Sequence, residues 1–474
     1  MLFNSTIFAL FLPTVFALYW FLDRPSVRPQ NVLLLFASYL FYGWWDWRFL
    51  SLIVFSSALD FAIGLALGMT EAPARRRWLL AASLLANLGV LGFFKYWSFF
   101  RHSLDAALGQ LGLPPTGATF AVILPVGISF YTFQTLSYTI DVFRRRIAPT
   151  RDALAFFAFV SFFPQLVAGP IERAQRLLPQ FLSRRRLDLA QASDGLRQML
   201  WGLTKKVVVA DNLAPLADAA FNHWAQQDAT VLLLGMVAFT IQIYGDFSGY
   251  SDIAIGCSRL FGIDLMRNFA TPFFARDIAE FWRRWHISLS TWFRDYLYIP
   301  LGGNRVGRLR HARNILATFA ISGLWHGADW TYVIWGLLHG LYALPAALAG
   351  RHRRHHDTVA HQRLVPSARE LAQMATTFLM VLLAFVLFRS PTLADAVGFL
   401  NRLANGPRTL PQLDHAFVLA SAMLGVEWLQ REKAHGLAIA HLPRLARWLI
   451  YDLLLAVLFW YAHTTYAPFI YFQF

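Results

Sequence analysis

The sequence predicts an all-α integral membrane protein, and three observations lead to that fold class. Of its 474 residues, 57% are hydrophobic and only 15% are charged, whereas soluble domains carry roughly a quarter charged residues. Apolar runs near the ~20 residues needed to cross a bilayer recur along the whole chain. Short basic clusters separate these runs, which is typical of the cytoplasmic loops of membrane proteins.

The apolar runs predict helices that span the membrane or are buried in it, at 5–22, 31–45, 48–69, 78–100, 120–141, 154–170, 196–221, 230–262, 314–349, 372–389, 414–430 and 446–468. Several of these segments are expected to be re-entrant or buried instead of fully crossing. The first run lacks a basic leader and a small-residue cleavage site, so we expect a retained span and not a signal peptide. No long polar stretch separates two halves, and residues 1–474 are therefore predicted to form one polytopic domain.

The charge distribution excludes a nucleic-acid partner and predicts an orientation. Lys and Arg number 42 against 27 Asp and Glu, a net charge of +15, but the basic residues lie in short clusters between apolar runs. The positive-inside rule places Arg75–Arg77 and Arg144–Arg146 in the cytoplasm. Counting the predicted spans backwards from Arg75 places the N-terminus outside. Because the basic loops 305–313 and 351–363 are also expected to be cytoplasmic, segment 314–349 must enter the membrane and return.

Two histidines in apolar, tryptophan-rich sequence are the main candidates for catalysis. Ionisable side chains at membrane depth are costly and tend to face a protein cavity, and histidine exchanges protons near neutral pH. His326 lies where segment 314–349 is predicted to turn, between Gly323 and Gly327, with Trp325 beside it and Asp329 close enough to orient its ring. The alternative is a core histidine that is hydrogen-bonded to a carbonyl oxygen.

His286 belongs to a segment with helical spacing. Trp282, His286, Leu289 and Phe293 fall on one face of a predicted helix. An amphipathic helix at the membrane interface, with a histidine in its wall, is an equally good interpretation of this pattern.

Two acidic residues stand in another apolar run, within the sequence YGDFSGYSDIAIG. Asp246 and Asp252 would be costly in lipid and must face inward. They either line a substrate path or pair with Arg259 or Arg276 as structural anchors, and we favour the second interpretation.

Several other chemistries lack the residues that they need. The one cysteine, Cys257, excludes an internal disulfide bond and makes a metal–thiolate site or a thiol acyl-enzyme a poor prediction. The sequence has no phosphate-binding loop, dinucleotide fingerprint or HExxH zinc motif. The histidine-rich stretch 351–361, with His352, is better interpreted as a solvated basic loop than as a metal site. We therefore expect no bound cofactor and no metal.

The motifs GDFSGYSDIAIG, FWRRWHISLSTWFRDYLYIPLGGNR, ISGLWHGADWTYVIWGLLHG and FIYFQF resemble those of the membrane-bound O-acyltransferase family, and in particular its bacterial branch that acetylates polysaccharides such as alginate. The resemblance implies a ring of about 10–12 transmembrane helices, each of ~20 apolar residues, with re-entrant helices around a central funnel. It assigns the catalytic role to His326 in WHG, with His286 in FWRRWH as the second family histidine. The candidate substrate-binding residues are Trp325, Asp329, Trp282, Trp285, Asp246 and Asp252.

The resemblance also implies a reaction and its setting. An acetyl group from cytoplasmic acetyl-CoA would be transferred in the bacterial inner membrane and passed to an extracytoplasmic partner acyltransferase that modifies a polysaccharide. Four alternatives stay open: direct acetylation of a glycan or lipid-linked sugar, D-alanyl transfer to a cell-wall polymer, a transporter or channel without chemistry, and a scaffold for polysaccharide export.

Overall fold

The computed structural model describes residues 1–117, 122–350, 354–410, 413–462 and 469–470. These residues form α-helices joined by short 3₁₀ and π turns, and no β-strand occurs among them. The predicted all-α fold class is therefore confirmed. His352, the last four residues of FIYFQF and parts of the predicted spans 120–141 and 446–468 lie outside the described residues. The chain divides into two compact units, Met1–Ala192 with Ser258–Leu265 and Ser193–Cys257 with Met266–Phe474, and the prediction of one polytopic domain stays a prediction.

The first unit contains nine helices within its described residues: α1 (Thr6–Phe21), α2 (Arg28–Asp46), α3 (Leu50–Gly68), α4 (Pro73–Leu91), α5 (Trp97–Gln110), α6 (Ile128–Phe143), α7 (Ala153–Ser161), α8 (Phe163–Leu166) and α9 (Ala174–Leu182). Its apolar helices bury a polar centre at Asp60 on α3. The Asp60 carboxylate accepts hydrogen bonds from the side chains of Ser83, Asn87 and Thr139. Because a buried charge needs such partners, these bonds fix α3 against α4 and α6.

Helix α10 (Leu189–Leu203) leads into the second unit, where a π turn joins it to α11 (Asp211–Asn222). The remaining helices are α12 (Ala229–Leu260), α13 (Ile278–Arg284), α14 (Ile287–Phe293), α15 (Arg308–His326), α16 (Trp330–Leu348), α17 (Ala368–Arg389), α18 (Leu393–Asn405), α19 (His415–Leu429) and α20 (Arg444–Tyr461). The last turn of α12 belongs to the first unit. All candidate catalytic residues lie in the second unit.

Five helical stretches in the described chain are long and apolar enough to cross a membrane: Arg28–Gly68, Pro73–Gln110, Ala229–Leu260, Trp330–Leu348 and Ala368–Arg389. Helices α1 and α19 are apolar but shorter. The protein is thus a multi-pass membrane protein, with fewer full-length spans than predicted runs. The run 154–170, for example, forms α7 and α8 with a break after Ser161, where Pro164 removes a backbone donor and its ring obstructs a continuous helix.

The predicted turn near His326 is confirmed, since α15 ends at His326 and α16 begins at Trp330. Helices α15 and α16 pack closely through glycines. A Cβ atom on Gly323 would lie 2.1 Å from the carbonyl oxygen of Tyr332, and one on Gly336 would lie 2.2 Å from that of Phe319. Only glycine permits this approach, and the hairpin holds His326 at its tip.

The prediction of one continuous helix through His286 was wrong. Helix α13 ends at Arg284, α14 begins at Ile287, and His286 between them has a left-handed φ of 43°. The backbone donors of Ile287 and Ser288, just after the break, bond to Asn268 instead of to the preceding helix. The Ile287 N–H donates to the Asn268 carbonyl oxygen at 2.9 Å, and the Ser288 N–H donates to Asn268 Oδ1 at 3.2 Å. Because these donors cannot complete an α-helical turn, Trp282, Leu289 and Phe293 do not share one helical face.

Candidate active site

The two candidate histidines meet in the second unit. The ring centroids of His286 and His326 lie 6.3 Å apart, at an interplanar angle of 65°. His286 is fully buried, and His326 is 4% exposed. Their positions follow from two local breaks, the left-handed residue before α14 and the end of α15. A small group between or beside these rings can therefore contact two imidazoles at once.

Asn268 determines which nitrogen of neutral His286 carries the proton. Its Oδ1 lies 3.2 Å from the Ser288 backbone nitrogen and 3.2 Å from His286 Nδ1. A backbone N–H can only donate, so the Asn268 atom facing it must be the carbonyl oxygen. That oxygen can only accept, and neutral His286 must therefore donate from Nδ1. Its Nε2 is then the basic nitrogen.

Aromatic rings enclose both histidines. Trp325 lies 5.0 Å from His326 and 5.9 Å from His286, measured between ring centroids. Further neighbours of the pair include aromatic residues on three different helices: Phe247 at 4.7 Å from His286, and Trp335 and Phe388 at 5.1 and 5.6 Å from His326. This enclosure limits the access of water, which strengthens electrostatic interactions inside the site.

The structure distributes the other predicted tryptophans around this centre. Trp282 contacts Trp335 edge-on, with their centroids 5.9 Å apart. Trp285 is buried among aromatic rings and stacks on Phe281 at 5.4 Å. Trp282 thus contacts Trp335, one of the rings that enclose His326. Trp285 instead packs on Phe281 in the surrounding aromatic layer.

Asp329 caps the N-terminus of α16. Its Oδ1 accepts a hydrogen bond from the Thr331 N–H at 2.9 Å. An Asp in this position satisfies a donor that the first turn of the helix leaves open. The residue that was predicted to orient the His326 ring therefore stabilises the turn on which His326 sits.

The acidic residues of α12 form buried ion pairs, but not with the predicted partners. Asp252 pairs with Lys205 and Asp246 pairs with Lys206, each at 2.6 Å. Arg259 lies instead 3.9 Å from Asp264. Lys205 and Lys206 are nearer in space because the π turn after α10 packs against α12. A Cβ atom on Gly249 of α12 would lie 3.3 Å from the backbone nitrogen of Lys206.

A small polar cavity is lined by Asn268, the residue that bonds to His286. Its lining includes Ser251, Lys205, Asp252 and Glu427. Asn268 connects the cavity to the histidine, since its Nδ2 donates to Ser251 Oγ at 3.2 Å while its Oδ1 accepts from His286. The described residues contain no group of three His, Cys, Asp or Glu that could hold a metal ion.

An arginine pair fixes the segment that carries His286. Glu280 is 1% exposed and accepts hydrogen bonds from Arg276 at 3.0 Å and Arg284 at 2.8 Å. Burial raises the pKa of the Glu280 carboxyl, but the Arg276 hydrogen bonds and the charges of Arg284 and Arg276 outweigh burial, so the pKa lies below its ordinary value. Arg276 pairs with Glu280 and with Asp357, each at 3.0 Å, and not with Asp246 or Asp252.

Sequence reasoning missed Asn268, Lys205 and Glu427 as neighbours of the site. Asn268 is separated from His286 by 18 residues and carries no periodic signal. The lysine pair was visible, because GLTKKVVVA places two charges in an apolar run. The acidic residues of α12 that pair with these two lysines could not be identified from the sequence, because the pairs form only in the folded chain.

A multi-pass helical protein with two enclosed, adjoining imidazoles has the features expected of a membrane-embedded enzyme that transfers protons. Residues 142–385 match the membrane-bound O-acyltransferase (MBOAT) family. The chain is 43% identical over 423 residues to the probable alginate O-acetylase AlgI of Pseudomonas putida, which covers 88% of this chain and 83% of that protein. The protein of the same name from Pseudomonas aeruginosa is 42% identical over 402 residues, 84% of this chain and 73% of its own length.

A peptidoglycan O-acetyltransferase from Helicobacter pylori is 37% identical over 430 residues, 85% of this chain and 79% of that protein. The chain therefore belongs to the membrane-bound O-acyltransferase family, as the motifs predicted. It is an O-acyltransferase of the membrane.

Proposed function

We propose that this protein takes an acetyl group from acetyl-CoA at the cytoplasmic face of a bacterial inner membrane and passes it across for O-acetylation of an envelope or extracellular polysaccharide. The observation that carries this proposal is the buried pair of His286 and His326, whose ring centroids lie 6.3 Å apart, with His326 at the tip of a glycine-packed hairpin. The names of the relatives support an acetyl group and a polysaccharide as final acceptor.

In the proposed reaction, His326 is the general base. It removes the proton from an acceptor hydroxyl as the oxygen attacks the carbonyl carbon of the thioester. The carbon–sulfur bond then breaks, and the proton passes to the leaving thiolate, so that one ester and one thiol are formed. A positioned base of this kind contributes on the order of 10²–10⁴-fold in rate.

The tautomer of His286 limits the roles that this residue can have in the reaction. With the proton on Nδ1 and held by Asn268, neutral His286 offers only a basic Nε2. That nitrogen accepts a hydrogen bond from an acceptor hydroxyl or relays a proton, but it cannot polarise a carbonyl oxygen. We assign His286 to orienting the hydroxyl that His326 deprotonates.

The immediate acceptor in this proposal is a hydroxyl of an extracytoplasmic partner acyltransferase or carrier, with the N-terminus of the chain outside. Direct acetylation of a glycan is the second candidate. D-alanyl transfer uses the same histidine chemistry. The two reactions are distinguished by whether the isolated product carries acetyl or D-alanyl groups.

The test is the polysaccharide O-acetyl content of cells that carry wild type, His326→Ala or His286→Ala, with the membrane abundance of each variant measured. Loss of acetylation at normal abundance supports acyl transfer at this pair. Unchanged acetylation in the His326 variant would contradict it and favour a transporter or a scaffold, neither of which needs an imidazole at this position.

A further inference from the structure

Three nitrogen-bearing rings form a second cluster beside the histidine pair, and no role in the proposed proton transfer uses them. Trp282, Trp335 and His339 contact one another, with centroid distances of 5.9 Å between the indoles, 5.1 Å between Trp282 and His339, and 4.9 Å between Trp335 and His339. Trp335 and His339 are 2% and 0% exposed. We call these three residues the indole–imidazole cluster.

The polar atoms of this cluster have no hydrogen-bond partner in the part of the chain that the structure describes. They are the Nε1 atoms of both indoles and both ring nitrogens of His339, and each is buried. Leaving a buried donor unpaired is costly, and native proteins rarely do so. Four such atoms in three touching rings are therefore available to hydrogen-bond a bound group.

The cluster lies between the catalytic pair and an apolar cavity. On one side, Trp335 is 5.1 Å from His326 between ring centroids. On the other side, Trp282 and Ser322 line a cavity of about 290 Å³ whose further walls include Ile315, Phe319 and Phe293. Ser322 is one helical turn before His326 on α15. Trp282 is thus the member of the cluster that lines the cavity, and Trp335 links it to His326 by ring contacts.

We propose that the indole–imidazole cluster binds a carbonyl group of the acyl donor. The chemistry of the cluster selects such a group, since an indole N–H can only donate and a carbonyl oxygen can only accept. Neutral His339 has one donor and one acceptor nitrogen, which suits an amide as well as a carbonyl. This inference rests on the proposed function, because it assumes a thioester donor.

A thioester donor offers two kinds of carbonyl, and they predict different kinetics. If the cluster binds the thioester carbonyl, it stabilises charge that develops in the transition state, and losing one donor lowers kcat by roughly 10²–10³-fold. If it binds an amide of the donor arm, the loss raises KM by roughly tenfold or less. In the second case, the effect disappears with a thioester that lacks amides.

The experiment measures kcat and KM of purified protein for acetyl-CoA, for acetyl-N-acetylcysteamine and for an amide-free acetyl thioester, in wild type, Trp335→Phe and His339→Phe. Trp448→Phe is the matched control, because Trp448 is 54% exposed on α20. If Trp335→Phe fails to accumulate, a benzothienylalanine at position 335 keeps the ring shape and removes only the N–H. Kinetic constants equal to those of the Trp448 control in both cluster variants would overturn the inference.

Binding of a non-transferable ketone analogue of acetyl-CoA separates this inference from the proposed function. Weaker binding in Trp335→Phe supports the cluster even if wild type transfers no acetyl group. Equal binding in wild type and both cluster variants refutes the cluster alone. No binding to wild type refutes acetyl-CoA as donor, and the carbonyl site with it.

Discussion

Asn268 and His286, 18 residues apart in the chain, are joined by a hydrogen bond of 3.2 Å between Oδ1 and Nδ1. The same Asn268 oxygen accepts from the Ser288 backbone at 3.2 Å and from the Ser288 hydroxyl at 2.9 Å. The Ser288 N–H can only donate, so it fixes the orientation of the Asn268 amide. The amide oxygen in turn fixes the tautomer of His286. Asn268 is thus a positioning residue that gives His286 a defined basic nitrogen.

Replacing Asn268 tests this relationship. Asn268→Asp keeps an acceptor for His286 Nδ1–H and for Ser288, so we expect the Nδ1–H tautomer to persist. Asn268→Leu removes the acceptor, and we expect a mixture of tautomers with a kcat lowered about tenfold or more, consistent with losing the orientation of a catalytic group. The ¹⁵N NMR signals of His286 in histidine-labelled protein report the tautomer directly, with His286→Gln used for assignment.

A structural role alone would lower the abundance or thermal stability of Asn268→Leu without changing the tautomer of His286. The Asp variant serves as the matched control, because it retains size and acceptors while losing the Nδ2 donor to Ser251. An unchanged Nδ1–H signal in the Leu variant would contradict the proposed positioning.

Glu280 is predicted to stabilise the segment before His286 in a pH-dependent manner. It is buried between Arg276 and Arg284, and removing one partner of a buried ion pair typically costs roughly 3–5 kcal/mol. We expect Glu280→Gln to lower the unfolding temperature markedly at neutral pH. Because the folded-state pKa of Glu280 is lowered, its stabilisation is present above the unfolded-state pKa and is lost as the pH falls through the folded-state value.

The difference in unfolding temperature between wild type and Glu280→Gln should therefore shrink on acidification in the same detergent. Glu432→Gln is the control, since Glu432 pairs with His361 at the surface and exposed pairs contribute little. A difference that stays constant with pH would show that the carboxylate charge is not the stabilising feature.

The sequence could predict the environment of His326 better than that of His286, for a physical reason. Basic loops and Gly323 and Gly327 are local signals, and they predicted the turn between α15 and α16. The break at His286 depends on hydrogen bonds to Asn268, a contact that no local spacing encodes. Helical periodicity alone therefore favoured a continuous helix there.

The charged partners of α12 follow the same rule. That Asp246 and Asp252 face inward follows from the cost of a buried charge, and this part of the prediction was confirmed, because both form ion pairs with buried lysines. Which cations pair with them depends on how the π turn packs, and Arg259 and Arg276 were the wrong choice. The all-α class needed only composition and run length.

Gly336→Ala is expected to displace His326 from His286. A Cβ atom at position 336 would lie 2.2 Å from the backbone carbonyl oxygen of Phe319, so α15 and α16 must separate, at a cost of about 1–3 kcal/mol. We expect a lower unfolding temperature and a loss of acetyl transfer that exceeds the loss of abundance, because His326 ends α15. Gly425→Ala in α19 is the control, since nothing lies within 4 Å of its Cβ position, and alanine there should stabilise the helix by up to about 1 kcal/mol. Equal activity per molecule in the two variants would mean that the close approach of α15 and α16 does not position the site.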